Sequence, residues 1–207
     1  MKRRGKTVSV CTLRRLSRAE LPVHTVELAR YLIGKVLVHD TASRLSGRIV
    51  ETEAYPIGDA AGRAFRGTTP HNRSLFLERG HAHVYFIYGS WYLLNVSSEV
   101  AEVGAGVLLR AVEPLEGVEL MVSSSSKTRL ADLGSGPGRL TQAMQIDLRQ
   151  DGLDLCARGP LWLAATAQRT GTIGKSVRIG ISRNIGRLLR FYERGNPHVS
   201  GPKRLRQ

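Results

Sequence analysis

Strand-like segments recur along the whole chain, and the helical segments between them do not fall at the regular interval of a βαβ repeat. Parallel strands need a crossover of a dozen or more residues, usually a helix, between each pair. Without that rhythm the strands must turn back on their neighbours. The expected class is α+β: a single domain with a curved, mostly antiparallel β-sheet, a protruding β-hairpin and surrounding helices.

The individual segments follow from spacing. Val26, Leu28, Ala29, Leu32 and Ile33 form a helical stripe, with Thr25 as candidate N-cap and Gly34 as the stop. Val36 and Val38 begin a strand, 40–43 is turn chemistry, and 45–55 reads as the returning strand. A short helix is expected around 72–77. Next comes a hairpin with arms 84–88 and 91–96, then a strand over 106–112. Pro114 should open a helix running to Met121, and 139–146 should be helical after a glycine-rich turn. Late strands are expected at 177–181 and 188–192. The serine run 123–126 reads as a loop tip.

Charge narrows the partner. The 207 residues hold 31 Lys and Arg against 17 Asp and Glu, a formal net charge of +14. Such an excess attracts polyanions at the cost of self-repulsion, so nucleic acid leads, with an anionic membrane surface or the ribosome behind it. Residues 1–18 carry seven basic residues and no acid, and 171–207 carry nine with Glu193 the lone acid. Two distant cysteines, Cys11 and Cys156, support neither a disulfide framework nor a structural zinc site. No run of 18 apolar residues occurs, so the chain is read as soluble and intracellular, cytoplasmic or nuclear, with no membrane partner.

Three strings carry chemistry. Glu51, Glu53 and Tyr55 share one face of a strand, and two carboxylates there would be costly in an apolar core. That face is polar, paired or part of a cleft, and on these residues alone a solvated sheet face is the expectation over a catalytic one. Tyr85, Phe86, Tyr88, Trp91 and Tyr92 crowd a strand-turn-strand, where aromatics either stack on bases or pack as core. Core packing is the expectation for Phe86, Ile87, Leu93 and Leu94. Arg110 lies in a strand otherwise fit for burial, and a buried guanidinium needs a partner such as Glu53 or Glu51.

Taken in order, these strings resemble the alkyladenine (3-methyladenine) DNA glycosylases. The resemblance rests on 48–55, on Thr69-Pro70-His71-Asn72-Arg73, on 85–95 and on 107–117. Gly134-Ser135-Gly136-Pro137, Arg190-Phe191-Tyr192 and Arg194-Gly195-Asn196-Pro197 extend it to about residues 20–200. It implies a basic extension over 1–18 and a glycosylase domain over 19–207. The implied partner is double-stranded DNA containing damaged purines, bound by a monomer that uses no metal and no cofactor.

The resemblance also implies roles. Glu53 matches the general base that deprotonates the attacking water, and Arg110 the arginine that helps hold both. The main-chain carbonyl near Val199 matches a third contact to that water. Tyr55 and Tyr85 match the aromatic walls around a flipped base, Asn95 the side chain that disfavours normal guanine, and Tyr88 the wedge that enters the duplex. Arg63 departs, because the family usually has His there. A guanidinium can stack on a base but cannot accept a hydrogen bond.

Other chemistries fit less well. Residues 134–138 match neither the Rossmann nor the P-loop spacing. The pair His81 and His83 reads as structural or solvated rather than as metal ligands, and a hydrolase nucleophile elbow is absent. A non-catalytic nucleic-acid-binding module explains the charge but leaves Glu53 and Arg110 without a task. A formyltransferase-like or ribosome-associated domain of the same fold would keep the strand order without the tyrosines.

Overall fold

In the computed structural model, residues 13–125 and 129–202 are described. Most of the basic N-terminal stretch, Cys11 and the last of the serine run therefore lie outside the described residues. The strands are β1 (Arg14–Arg15), β2 (Val36–Asp40), β3 (Arg44–Tyr55), β4 (Ala82–Ile87), β5 (Trp91–Ser97), β6 (Gly106–Glu116), β7 (Leu161–Ala165), β8 (Ile173–Ser176) and β9 (Arg190–Glu193). The helices are α1 (Thr25–Leu32), α2 (Val118–Ser123), α3 (Leu130–Leu133) and α4 (Pro137–Ala143). A 3₁₀ turn over Arg73–Phe76 stands where the short helix was expected.

The strands run in the order β1-β7-β2-β3-β6-β5-β4, with β9 joining β3 and β8, and every pairing is antiparallel. The twelve-residue β3 organises the sheet. Its first half pairs with β2, its second half with β9, and its other edge with β6. Register shifts around Glu51 bend it. Thr52 points to the helix layer, where its hydroxyl donates to the Ala29 carbonyl at 2.8 Å. Glu51, Glu53 and Tyr55 point away from that layer. The principal apolar core joins Leu28, Leu32, Ile49, Leu94, Leu109 and Leu140.

Several local expectations give way to tertiary contacts. His24, not Thr25, is the N-cap residue of α1, because the Thr25 N–H and hydroxyl both donate to Glu99, at 2.8 and 2.6 Å. Pro114 opens no helix. It stays in β6 beside a register shift at Ser46/Gly47, where a strand tolerates a missing N–H, and α2 starts only after Gly117, whose φ is 74°. The apolar alternation at 177–181 forms no strand; the strand there is β8, just before it. Leu94 is buried as expected and Ile87 and Leu93 are half-buried, but Phe86 is 50 % exposed. The cause is topological: β6 pairs with β5 only at Asn95–Ser97, so the outer arms of the hairpin have no further strand beside them.

Candidate active site

Burial of charge is concentrated on one face of β3. Glu51 is fully buried and accepts from the Nε of Arg110 and of Arg190, each at 2.7 Å. The Ser200 N–H and hydroxyl add donors at 2.6 and 2.9 Å. Burial alone would raise the Glu51 carboxyl, but Arg110, Arg190 and the Ser200 N–H hold it below its ordinary value. Glu51 is an anchor, and its fixed charge in turn pins the Arg110 guanidinium.

Glu53 is also 0 % exposed, with a thinner set of partners. Its Oε1 meets the Ile179 N–H at 2.8 Å and Arg110 Nη1 at 3.3 Å. Its Oε2 accepts the Tyr55 hydroxyl at 2.9 Å. Burial raises this carboxyl above the usual range, and Arg110, the Ile179 N–H and Tyr55 only partly offset that. Two glutamates two residues apart thus have their proton affinities pushed in opposite directions. The difference singles out Glu53 as the carboxyl that holds a proton more readily than its neighbour.

Tyr55 and Arg110 also line a cavity of about 330 Å³, together with Arg63, Tyr85, Tyr88 and Asn95. Glu53 sits one layer behind that wall. Burial raises the phenols of both Tyr55 and Tyr85, so both rings are neutral. Each ring carries a guanidinium: Arg178 lies 4.5 Å from the Tyr55 centroid, and Arg63 lies 3.9 Å from that of Tyr85. His83 stacks on Tyr85 at 5.3 Å between ring centroids and shares a 2.7 Å hydrogen bond with Ser74. The Asn95 amide nitrogen is buried without a hydrogen-bond partner among the described residues. Tyr88 tops the hairpin, 79 % exposed, with φ at 55°.

Six of the eight residues singled out from sequence, Tyr55, Arg63, Tyr85, Tyr88, Asn95 and Arg110, therefore line one cavity, and Glu53 backs it. Val199 does not line it; the side chain is buried with Val50, Ala111 and Tyr192. Its neighbour Ser200 is the residue that reaches Glu51. Among the described residues, no group of three or more His, Cys, Asp or Glu is arranged to hold a metal ion.

Sequence reasoning missed Arg178, Ile179, Asp59 and Arg190. Arg178 and Asp59 are both buried and paired at 2.8 Å, and the Arg178 Nη1 also donates to the Ala54 carbonyl at 3.0 Å. An arginine between Val177 and Ile179 was the available signal, since a cation in an apolar alternation needs a partner. Asn72 has a clear task too. Its Nδ2 donates to the carbonyls of Arg63 and Gly67, at 2.9 and 3.0 Å, and so fixes the loop that carries Arg63.

The chain matches the family model described as methylpurine-DNA glycosylase over residues 19–197. A Mesorhizobium japonicum protein provisionally named 3-methyladenine DNA glycosylase is 60% identical over 193 residues, 93% of this chain and 93% of its own length. A Paraburkholderia phytofirmans protein of the same provisional name is 52% identical, covering 92% of this chain and 90% of its own. One from Methanoculleus marisnigri, likewise named, is 41% identical, covering 85% and 93%.

Proposed function

The chain belongs to the methylpurine-DNA glycosylase family, and from that premise we propose that it removes alkylated or deaminated purines from DNA by hydrolysing the N-glycosidic bond, with Glu53 activating the water. The observation that carries this reading is the fully buried Glu53, its carboxyl raised by burial, directly behind a cavity walled by Tyr55 and Tyr85.

A base inside a duplex is out of reach, so the nucleotide must first be extruded, at a cost of a few kcal/mol. Tyr88 is exposed at the hairpin tip, and we assign it to fill the gap left in the stack. The cavity volume of about 330 Å³ suits a purine between the two tyrosines. Asn95 lines the cavity, where its amide can donate to the base edge.

In the chemical step, water adds to C1′ of the deoxyribose as the bond from C1′ to the base nitrogen breaks. The bonding pair leaves with the base, and Glu53 takes the proton of the water. A carboxylate oxygen has two acceptor sites, so Oε2 can hold both the Tyr55 hydroxyl and the water. Arg110, pinned by Glu51, orients Glu53 and is a positioning residue. No lysine lines the cavity among the described residues, which favours direct displacement, as in inverting glycoside hydrolysis, over a Schiff base with strand cleavage. The enzyme acts inside the cell as a monomer on duplex DNA, its positive charge supplying the general attraction.

The test is a duplex carrying one hypoxanthine or one 7-methylguanine, incubated with the protein and then treated at neutral pH with an endonuclease that cuts only abasic sites, beside a control without the protein. A cut at the lesion that needs both the protein and the endonuclease is the expected result. An intact strand after both treatments with both lesions contradicts the reading. A binding-only module would leave the duplex intact, and would also leave the cost of burying Glu53 without a return.

A further inference from the structure

The cavity has a charge imbalance that bears on which purines it takes. The charged side chains in its wall are Asp59, Arg63 and Arg110. Asp59 is paired with Arg178 at 2.8 Å and Arg187 at 3.3 Å, and Arg110 with Glu51 at 2.7 Å and Glu53 at 3.3 Å. Arg63 has no ion pair among the described residues. Three carboxylates (Glu51, Glu53 and Asp59) thus face five guanidiniums, those of Arg63, Arg110, Arg178, Arg187 and Arg190. The cations exceed the carboxylates by two, and Arg63 is the one of the five with no ion pair; its guanidinium lies 3.9 Å from the Tyr85 centroid, on a ring that would receive a base. Its main chain is held by Asn72, so the charge is built in at the cavity wall.

We infer that Arg63 sets lesion choice by charge, favouring neutral damaged purines, which depart as anions, over purines already cationic in the nucleotide. This rests on the proposed glycosylase reading. A purine entering the cavity stacks on the Arg63 guanidinium or displaces it from Tyr85, and meets a fixed positive charge either way. Hypoxanthine is neutral in the nucleotide. As the C1′ bond breaks, the bonding electrons move onto its ring, and a nearby cation stabilises that negative charge in the transition state more than in the bound substrate. The base then takes a proton from solvent. A 7-methylguanine nucleotide is cationic, and its base leaves neutral. Arg63 opposes its entry and finds no developing anion to stabilise. Arg63 thus supplies leaving-group help to neutral purines by charge.

The experiment measures single-turnover excision at subsaturating protein, giving a second-order rate constant for a hypoxanthine duplex and for a 7-methylguanine duplex. The parent, Arg63→Gln and Arg63→Lys are compared through the ratio of the two constants. Arg63→Gln should lower the hypoxanthine to 7-methylguanine ratio at least about fivefold, the factor that unit charges about 4 Å apart are worth even in bulk water. Arg63→Lys keeps the charge and should retain most of the parental ratio. Thermal melting of each variant separates a folding defect from a change in choice, and the ratio cancels a uniform loss of active protein. An unchanged ratio in Arg63→Gln, or equal ratios in Gln and Lys, overturns the inference. So does a parent that excises 7-methylguanine but not hypoxanthine, an outcome that leaves the glycosylase reading standing. A parent that excises neither overturns both.

Discussion

The guanidinium of Arg178 lies 4.5 Å from the centre of the Tyr55 ring and is paired at 2.8 Å with Asp59. Both partners of the pair are fully buried, and Arg178 also holds the Ala54 carbonyl. The next residue, Ile179, gives its N–H to Glu53. One short segment therefore supports the Tyr55 ring and the Glu53 carboxylate together. Asp59→Asn leaves Arg178 buried without its counter-charge, so a loss of about 3–5 kcal/mol in urea denaturation is expected. Loss below about 1 kcal/mol would mean that solvent or Glu53 compensates Arg178 instead.

Tyr88 pays for its position in backbone strain. A φ of 55° is left-handed, a conformation that costs a non-glycine residue about 1–2 kcal/mol. Tyr88→Gly should therefore fold with at least the parental stability while excising poorly. The loss should be larger on well-paired lesions than on mispaired ones, because a wedge offsets unstacking. Equal losses on both would assign Tyr88 to packing of the hairpin.

Glu51 and Glu53 should respond to pH with opposite signs. The Glu51 carboxyl is held below its unfolded value, so its contribution is full above that value and disappears as pH falls through the folded one. The Glu53 carboxyl is raised, so the fold favours its protonated form. Its contribution is full below the unfolded value and is lost as pH rises through the folded one. Glu53→Gln should then gain stability relative to the parent as pH rises from the ordinary carboxylate value through the raised folded one. A gain that shrinks over that range contradicts the assignment. Excision by the parent should climb through the same ionisation and then level off.

Binding should weaken steeply with salt, since each neutralised phosphate releases counterions. Deleting residues 1–6, which include Lys2, Arg3, Arg4 and Lys6, should flatten the salt slope and leave single-turnover excision at saturating protein unchanged. If the deletion instead abolishes excision at saturation, the N-terminal stretch belongs to the site.

What could be read from the sequence divides along local and long-range causes. The face shared by Glu51, Glu53 and Tyr55 follows from the two-residue period of a strand, and Arg110 from the need of a buried cation for a partner. Both were visible without coordinates. The start of α1 was not, because the donor groups of Thr25 are satisfied by Glu99, distant in sequence. The alternation at 177–181 looked like a strand, yet the Ile179 N–H bonds a carboxylate rather than a neighbouring strand. Phe86 looked like core material, and its exposure depends on where β6 stops pairing with β5. In each case the deciding partner lies far along the chain, where local pattern carries no information.

The central claim is that Glu53 removes the proton from the attacking water. The direct measurement is single-turnover excision of hypoxanthine by Glu53→Gln at saturating protein, with duplex binding measured separately. The substitution keeps size and polarity but removes the base. The account predicts binding close to the parent and a rate lower by about 10²–10⁴-fold or more, the scale of a lost general base. A rate within about threefold of the parent, with binding intact, would contradict it.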